Sequence, residues 1–159
     1  GFVKYCAYNG VIKTELFKGS KFSGFVYKEA LKLFDWYEKT VVEVLKDTRY
    51  RMPCDIYELA KNVDDILSTG NQTGEGWFLT AEMVELIKEG INNIVCVQPF
   101  ACLPNHVVGK AVIRKIRKKY PDANIVAIDY DPGASHTNQV NRIKLMLTVA
   151  KEKKKSKKN

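Results

Sequence analysis

Two kinds of apolar pattern follow one another in the second half of the chain. Ile94, Val95, Cys96 and Val97 form a short unbroken run rich in β-branched residues, the pattern of a strand buried on both faces. Gln98, Pro99 and Phe100 break it. From Pro104 the spacing becomes helical, with Val107, Val108, Val112, Ile113 and Ile116 on one side. Proline suits a first helical turn, where the amide hydrogen it lacks has no partner anyway. The pattern then repeats: Ile125 to Ile128 reads as a second strand, Asp129 to Gly133 as its loop, and Ser135 onward as a helix ending near Ala150. The doubled unit predicts a three-layer α/β domain over residues 68–150 whose small sheet holds these two strands in parallel.

The first 67 residues predict a mainly helical subdomain. Asn9-Gly10 lies between two runs with apolar and aromatic content, which fits a hairpin with a tight turn or two helical pieces around a glycine break. Gly19 to Gly24 reads as a loop. From Val26 to Lys46 the positions Ala30, Phe34, Tyr37, Val41 and Val44 predict the inner stripe of a long helix. A basic connector follows, closed by Pro53. Asp55 then caps a helix with Ile56, Leu59, Val63 and Ile66 inside, and Glu58 stands in the capping-box position. Ser68 to Trp77 is a glycine-punctuated loop. Thr80 is expected to cap the helix carrying Met83, Leu86 and Ile87, which Gly90 closes.

Charge alters this picture little. Of the net charge of +8, the last nine residues carry most, with six lysines and one glutamate, so +3 remains for the rest. Residues 151–159 are expected to be a disordered basic tail. No apolar run reaches the length of a membrane span and no secretory signal is present, so neither a membrane nor nucleic acid is an expected partner. The four cysteines (Cys6, Cys54, Cys96 and Cys102) form no CxxC pair, which points to a reducing, cytoplasmic setting. The first residue, Gly1, suggests a piece of a longer protein.

Candidate chemistry gathers where the strands end. Cys102 falls between the end of one strand and the start of a helix, the edge at which open α/β sheets bind ligands. A helix N-terminus favours thiolate, the form that attacks electrophiles or binds metal, while a packed cysteine in a turn is the plainer account. Cys96, inside the strand, reads as a small core residue. A mononuclear metal site from Cys102, His106, Asp131 and His136 is chemically allowed, although the spacing matches no ligand pattern. Asp129 and Asp131 flank the second strand's end, where capping the next helix competes with binding a ligand hydroxyl. Gly133 and Ser135 stand where a phosphate would meet a helix N-terminus. Neither GxGxxG nor GxxxxGK[ST] occurs, so nucleotide binding has no motif behind it.

Three longer motifs, TGEGWFLTAEM, QPFACLPNH and IDYDPGASHTNQVNRIKLM, resemble the C-terminal region of proteins related to 2-hydroxyacyl-CoA dehydratases, of the CoA-substrate-specific enzyme activase type. The resemblance covers roughly Ser68 to Ala150. It implies flavodoxin/Rossmann-like halves and iron–sulfur electron transfer, in which an ATPase activator module drives a low-potential electron onto a cysteine-bound cluster. Cys102 is the residue that matches a cluster-ligand position. One cysteine cannot hold a cubane, so the remaining ligands would come from other parts of the parent protein. The expected partners are the remaining domains of that parent, including the activator, together with a homo-oligomer. The family's ATPase motifs are absent, so ATP hydrolysis is not assigned to this chain, and whether the parent is an enzyme stays open. The motif often carries glycine where Ala101 stands here and a non-histidine at the position of His136. The rival expectation is a non-catalytic interaction module of a larger multidomain protein.

Overall fold

The computed structural model describes residues 1–156 apart from Arg51 and Pro53, so the connector proline and the end of the lysine tail lie outside the described residues. The chain divides into two compact units, Gly1–Asn62 and Val63–Asn159. The division falls inside a helix, a few residues before the loop at Ser68 where the sequence places it. Among the described residues no helix is long and apolar enough to cross a membrane.

The first unit is a pair of long helices, α1 (Phe2–Leu16) and α2 (Lys21–Leu45), followed by the start of α3 (Ile56–Val63). No hairpin forms at Asn9-Gly10; α1 runs straight through it. Tyr5, Val11 and Ile12 are buried at helical spacing, and Gly10 lies against Tyr27 of α2. A methyl group on Gly10 would stand 2.2 Å from the ring of Tyr27, so only glycine admits that ring. Helix α2 starts at Lys21, inside the stretch expected as a loop, and the face it buries differs from the one expected. Gly24 and Leu31 are covered, whereas Tyr37, Val41 and Val44 are exposed. The cause is polar. Lys4 of α1 is buried, and its Nζ lies 2.7 Å from Asp35 and 2.5 Å from Glu38, which fixes that side of α2 against α1. Asp55 caps α3 as expected, accepting the Tyr57 amide at 2.8 Å.

The second unit contains α4 (Gly76–Lys88), β1 (Asn93–Gln98), α5 (Leu103–Asn105), a π-helical segment (His106–Ala111), α6 (Ile113–Lys119), β2 (Asn124–Asp129) and α7 (His136–Ser156). The two strands pair in parallel, Ile94 beside Ile125 and Gln98 beside Asp129, as the doubled pattern predicts. The unit is therefore an α/β arrangement around a small two-stranded parallel sheet. One face of the sheet joins Ile94, Cys96 and Ile125 to Met83, Val84 and Ile87 of α4 and to Val112 and Ile116. On the other side the Asn124 amide donates to the Met146 carbonyl of α7.

Three local expectations change. β1 is not buried on both faces: it alternates, with Ile94, Cys96 and Gln98 covered and Val95 and Val97 open. A continuous β-branched run reads the same whether or not a neighbour covers its second face. Thr80 does not cap α4, which begins four residues earlier, at Gly76; it is fully buried, and its hydroxyl donates to the Val108 carbonyl at 2.5 Å. That carbonyl belongs to the π-helical segment, whose widened turn leaves main-chain groups in need of such partners. Gly109 sits in the same turn, where a methyl group would come within 3.2 Å of both Cys96 Sγ and Leu79. Finally, α7 continues through Ser156, beyond Lys151 where the sequence places a disordered tail. Gly90 closes α4 as expected, with Gly90 N bonded to Ile87 O and Ile91 N to Leu86 O.

Candidate functional site

The C-terminal ends of the two strands are tied to each other before either loop departs. Gln98, the last residue of β1, is 1% exposed, and its Nε2 donates to Asp129 Oδ1 at 2.7 Å. The Tyr130 amide donates to the Gln98 carbonyl, also at 2.7 Å. One step further out, the Phe100 amide donates to Asp131 Oδ2 at 2.6 Å. Asp129 and Asp131 therefore brace the β1 loop rather than cap α7. Ser135 serves that helix, accepting the Asn138 amide at 3.4 Å.

The loop after β1 is a tight turn in which the Cys102 amide donates to the Pro99 carbonyl at 3.2 Å. Ala101 takes the left-handed conformation, with φ 55°, at a cost glycine would not incur. Cys102 then turns extended and precedes the first helical residue, with Pro104 in the first turn. Its carbonyl accepts both the His106 amide and His106 Nδ1, each at 3.0 Å. Because a carbonyl only accepts, Nδ1 carries a proton in this contact.

Cys102 is half-buried at this crest, while Cys96, six residues earlier, is packed under Gly109. Burial, helped by the charge of Glu75, pushes the Cys96 thiol up from its ordinary value, so it stays protonated and unreactive. Of the residues entertained as a metal site, the structure brings Cys102 and His106 together through the shared carbonyl, engages Asp131 with Phe100 and leaves His136 exposed at the start of α7. Among the described residues no group of three or more His, Cys, Asp or Glu side chains is arranged to hold a metal ion.

Beside the crest an open cleft of about 540 Å³ lies over the end of β2, lined by Phe100, Ile128, Asp131, Ser135, Asn138 and Arg142. Cys102 does not line it. The Gly70–Gly76 loop packs on the helix start, Gly74 approaching Pro104, as tight packing predicts. Gln98 and Arg142 escaped the reading of the sequence. A glutamine ending an apolar strand was the available signal for the first; Arg142 lies on a polar helix and gave none.

No protein-family model, curated protein or solved structure matches this chain.

Proposed function

We propose that this chain is the C-terminal part of an iron–sulfur, ATP-activator-linked electron-transfer protein related to the 2-hydroxyacyl-CoA dehydratases, and that it supplies one side of a composite cluster site without activity of its own. The observation that carries the proposal is the position of Cys102. It stands at the end of a parallel strand, before a helix, on a turn whose left-handed residue is Ala101. The fit to a cluster is partial. A cluster takes several thiolates, and this crest offers one, so the other ligands belong to the remaining domains of the parent. When bound, such a cluster supplies a low-potential electron acceptor; the residues here would orient one thiolate and brace its loop through Asp131 and Gln98.

The finer fold in this reading is a three-layer flavodoxin/Rossmann-like half. Its support is a parallel pair with α4 and α6 against one face and α7 bonded on the other. The reading includes a cytoplasmic setting, which four free thiols would suit. The test is iron content. In the intact parent, Cys102→Ala should lower bound iron and abolish the low-potential acceptor, with Cys102→Ser the milder lesion, because a hydroxyl is a poor substitute for a soft thiolate. ATPase activity of the activator should persist. Full iron and unchanged absorption in the alanine variant would remove the ligand assignment.

A second reading, a non-catalytic docking module, rests on Phe100 and Leu103, which flank Cys102 and are 74% and 73% exposed. Partner binding that survives Cys102→Ala but fails with Phe100→Ala would favour it.

A further inference from the structure

The open cleft over the end of β2 is lined by charges of both signs that do not pair with each other. Asp129 and Asp131 line it from the strand end and its loop, and both are half-buried. Each is engaged through one oxygen: Asp129 Oδ1 accepts Gln98 Nε2 at 2.7 Å, and Asp131 Oδ2 accepts the Phe100 amide at 2.6 Å. Among the described residues neither aspartate forms an ion pair. Gln98 Oε1 is buried and has no hydrogen-bond partner. It lies beside the Asp129 carboxylate, because the nitrogen of the same amide faces that carboxylate.

Arg142 lines the same cleft from α7, and two neutral acceptors hold its guanidinium still. Nε donates to Asn138 Oδ1 and Nη1 to the Ala127 carbonyl, each at 3.2 Å. Three of its five N–H donors remain, all at the Nη end, which is an edge that takes a carboxylate in two parallel bonds. Among the described residues no carboxylate of the chain pairs with it. The apolar part of the lining is Ile128 and the open ring of Phe100. The volume of about 540 Å³ suits a small molecule, and the place is the strand-end crevice where open α/β sheets bind ligands.

We infer that the cleft binds a free α-amino acid with an apolar side chain, its carboxylate on Arg142, its ammonium on the aspartates and its side chain against Phe100. Charge decides among the ligand classes. Two carboxylates and one guanidinium leave the lining with one net negative charge. A phosphomonoester would add about two more, and a simple carboxylic acid would reach Arg142 only beside two like charges. An amine alone would leave the guanidinium unanswered. A zwitterion answers both signs and adds no net charge. Its ammonium brings three donors to a region with three acceptors to spare, the second oxygens of Asp129 and Asp131 and Gln98 Oε1. The inference involves no cysteine and is independent of the role of Cys102.

Isothermal titration of the full chain with L-phenylalanine and L-leucine tests it, with 3-phenylpropionate, phenethylamine and inorganic phosphate as the comparison probes. The expected result is saturable binding of the amino acids, with 3-phenylpropionate and phenethylamine each weaker by at least about tenfold. That series needs no variant. Asp131→Asn keeps an acceptor for the Phe100 amide, and Arg142→Gln keeps a donor for the Ala127 carbonyl. Both should leave the circular dichroism unchanged and weaken amino-acid binding at least about tenfold. Lys144→Gln, on α7 but outside the cleft lining, should bind as the parent does. No saturable binding of either amino acid would overturn the inference. So would 3-phenylpropionate or phosphate binding as tightly as L-phenylalanine, or Asp131→Asn and Arg142→Gln proteins that bind like the parent.

Discussion

The helical unit and the α/β unit bury their side chains by opposite means. In the first, α1 meets α2 through a glycine, a tyrosine ring and a lysine held by two carboxylates, and α2 still exposes Phe22, Leu33, Trp36 and Val44. In the second, Trp77, Val84, Ile116 and Ile125 are all at most 1% exposed within layers of apolar side chains. Polar geometry fixes which face of a helix is used in one unit; packing fixes it in the other. One tryptophan lies in each unit, Trp36 and Trp77, so fluorine NMR of fluorotryptophan-labelled protein can follow the two units separately.

The largest expected effect contrasts truncation of an aliphatic side chain in the two settings. Ile116→Ala should cost the α/β unit about 3 kcal/mol by leaving a cavity among Val84, Ile87 and Ile125, whereas Val44→Ala on exposed α2 should cost under about 0.5 kcal/mol. Equal losses in urea unfolding would erase the contrast. Next, Lys4→Met should destabilise the helical unit by about 2 kcal/mol, because Asp35 and Glu38 would lose their shared cation while staying partly buried. A midpoint for the Trp36 signal within error of the parent would show that the lysine is dispensable. In the crest, Ala101→Gly should stabilise the α/β unit by about 0.5–1 kcal/mol, since relief of the left-handed strain exceeds the added entropy of glycine in the unfolded chain. Destabilisation would mean that the methyl group is needed for packing.

The smallest effect concerns alkaline pH and separates the units by order. Burial and Glu75 raise the Cys96 thiol above its ordinary value of 9.0. The folded α/β unit thus holds a proton that the unfolded chain releases, and its stability should fall as pH rises past about 9. Lys4 is different: burial pulls its pKa down, but hydrogen bonds to Asp35 and Glu38 outweigh burial and leave it raised above 10.5. Stability from that contact is fully present below pH 10.5 and declines only above it. Cys96→Ala should flatten the earlier decline in the Trp77 signal and leave the later one in the Trp36 signal untouched.

The same contrast explains how much was legible in the residues. Both strands, their parallel pairing, the helix start at Pro104, the Asp55 cap and the Gly90 closure were readable, because each rests on local spacing or on one residue's backbone chemistry. The apolar stripe of α2 announced a helix but not its buried face, which Lys4 decides from another helix. Asn9-Gly10 carried a turn signal that the Tyr27 ring overrides. Thr80 resembled a cap because threonine caps helices; its true partner, Val108, is remote in sequence and exists only where the helix widens. At the site, the position of Cys102 was legible, but the brace formed by Gln98, Asp129 and Asp131 was not, since it depends on strand register.

The claim that Cys102 is a cluster ligand has one most direct measurement: its alkylation rate in the intact parent, read by peptide mass spectrometry with and without iron and sulfide. Without iron, Cys102 should react well ahead of Cys96, whose thiol is packed beneath Gly109. With iron and sulfide loaded anaerobically, Cys102 should become protected, and a chelator should restore its reactivity, while Cys6, exposed on α1, reacts alike throughout. A Cys102 that alkylates at one rate in the loaded, stripped and reloaded protein would contradict the account and leave it a structural thiol in the turn between strand and helix.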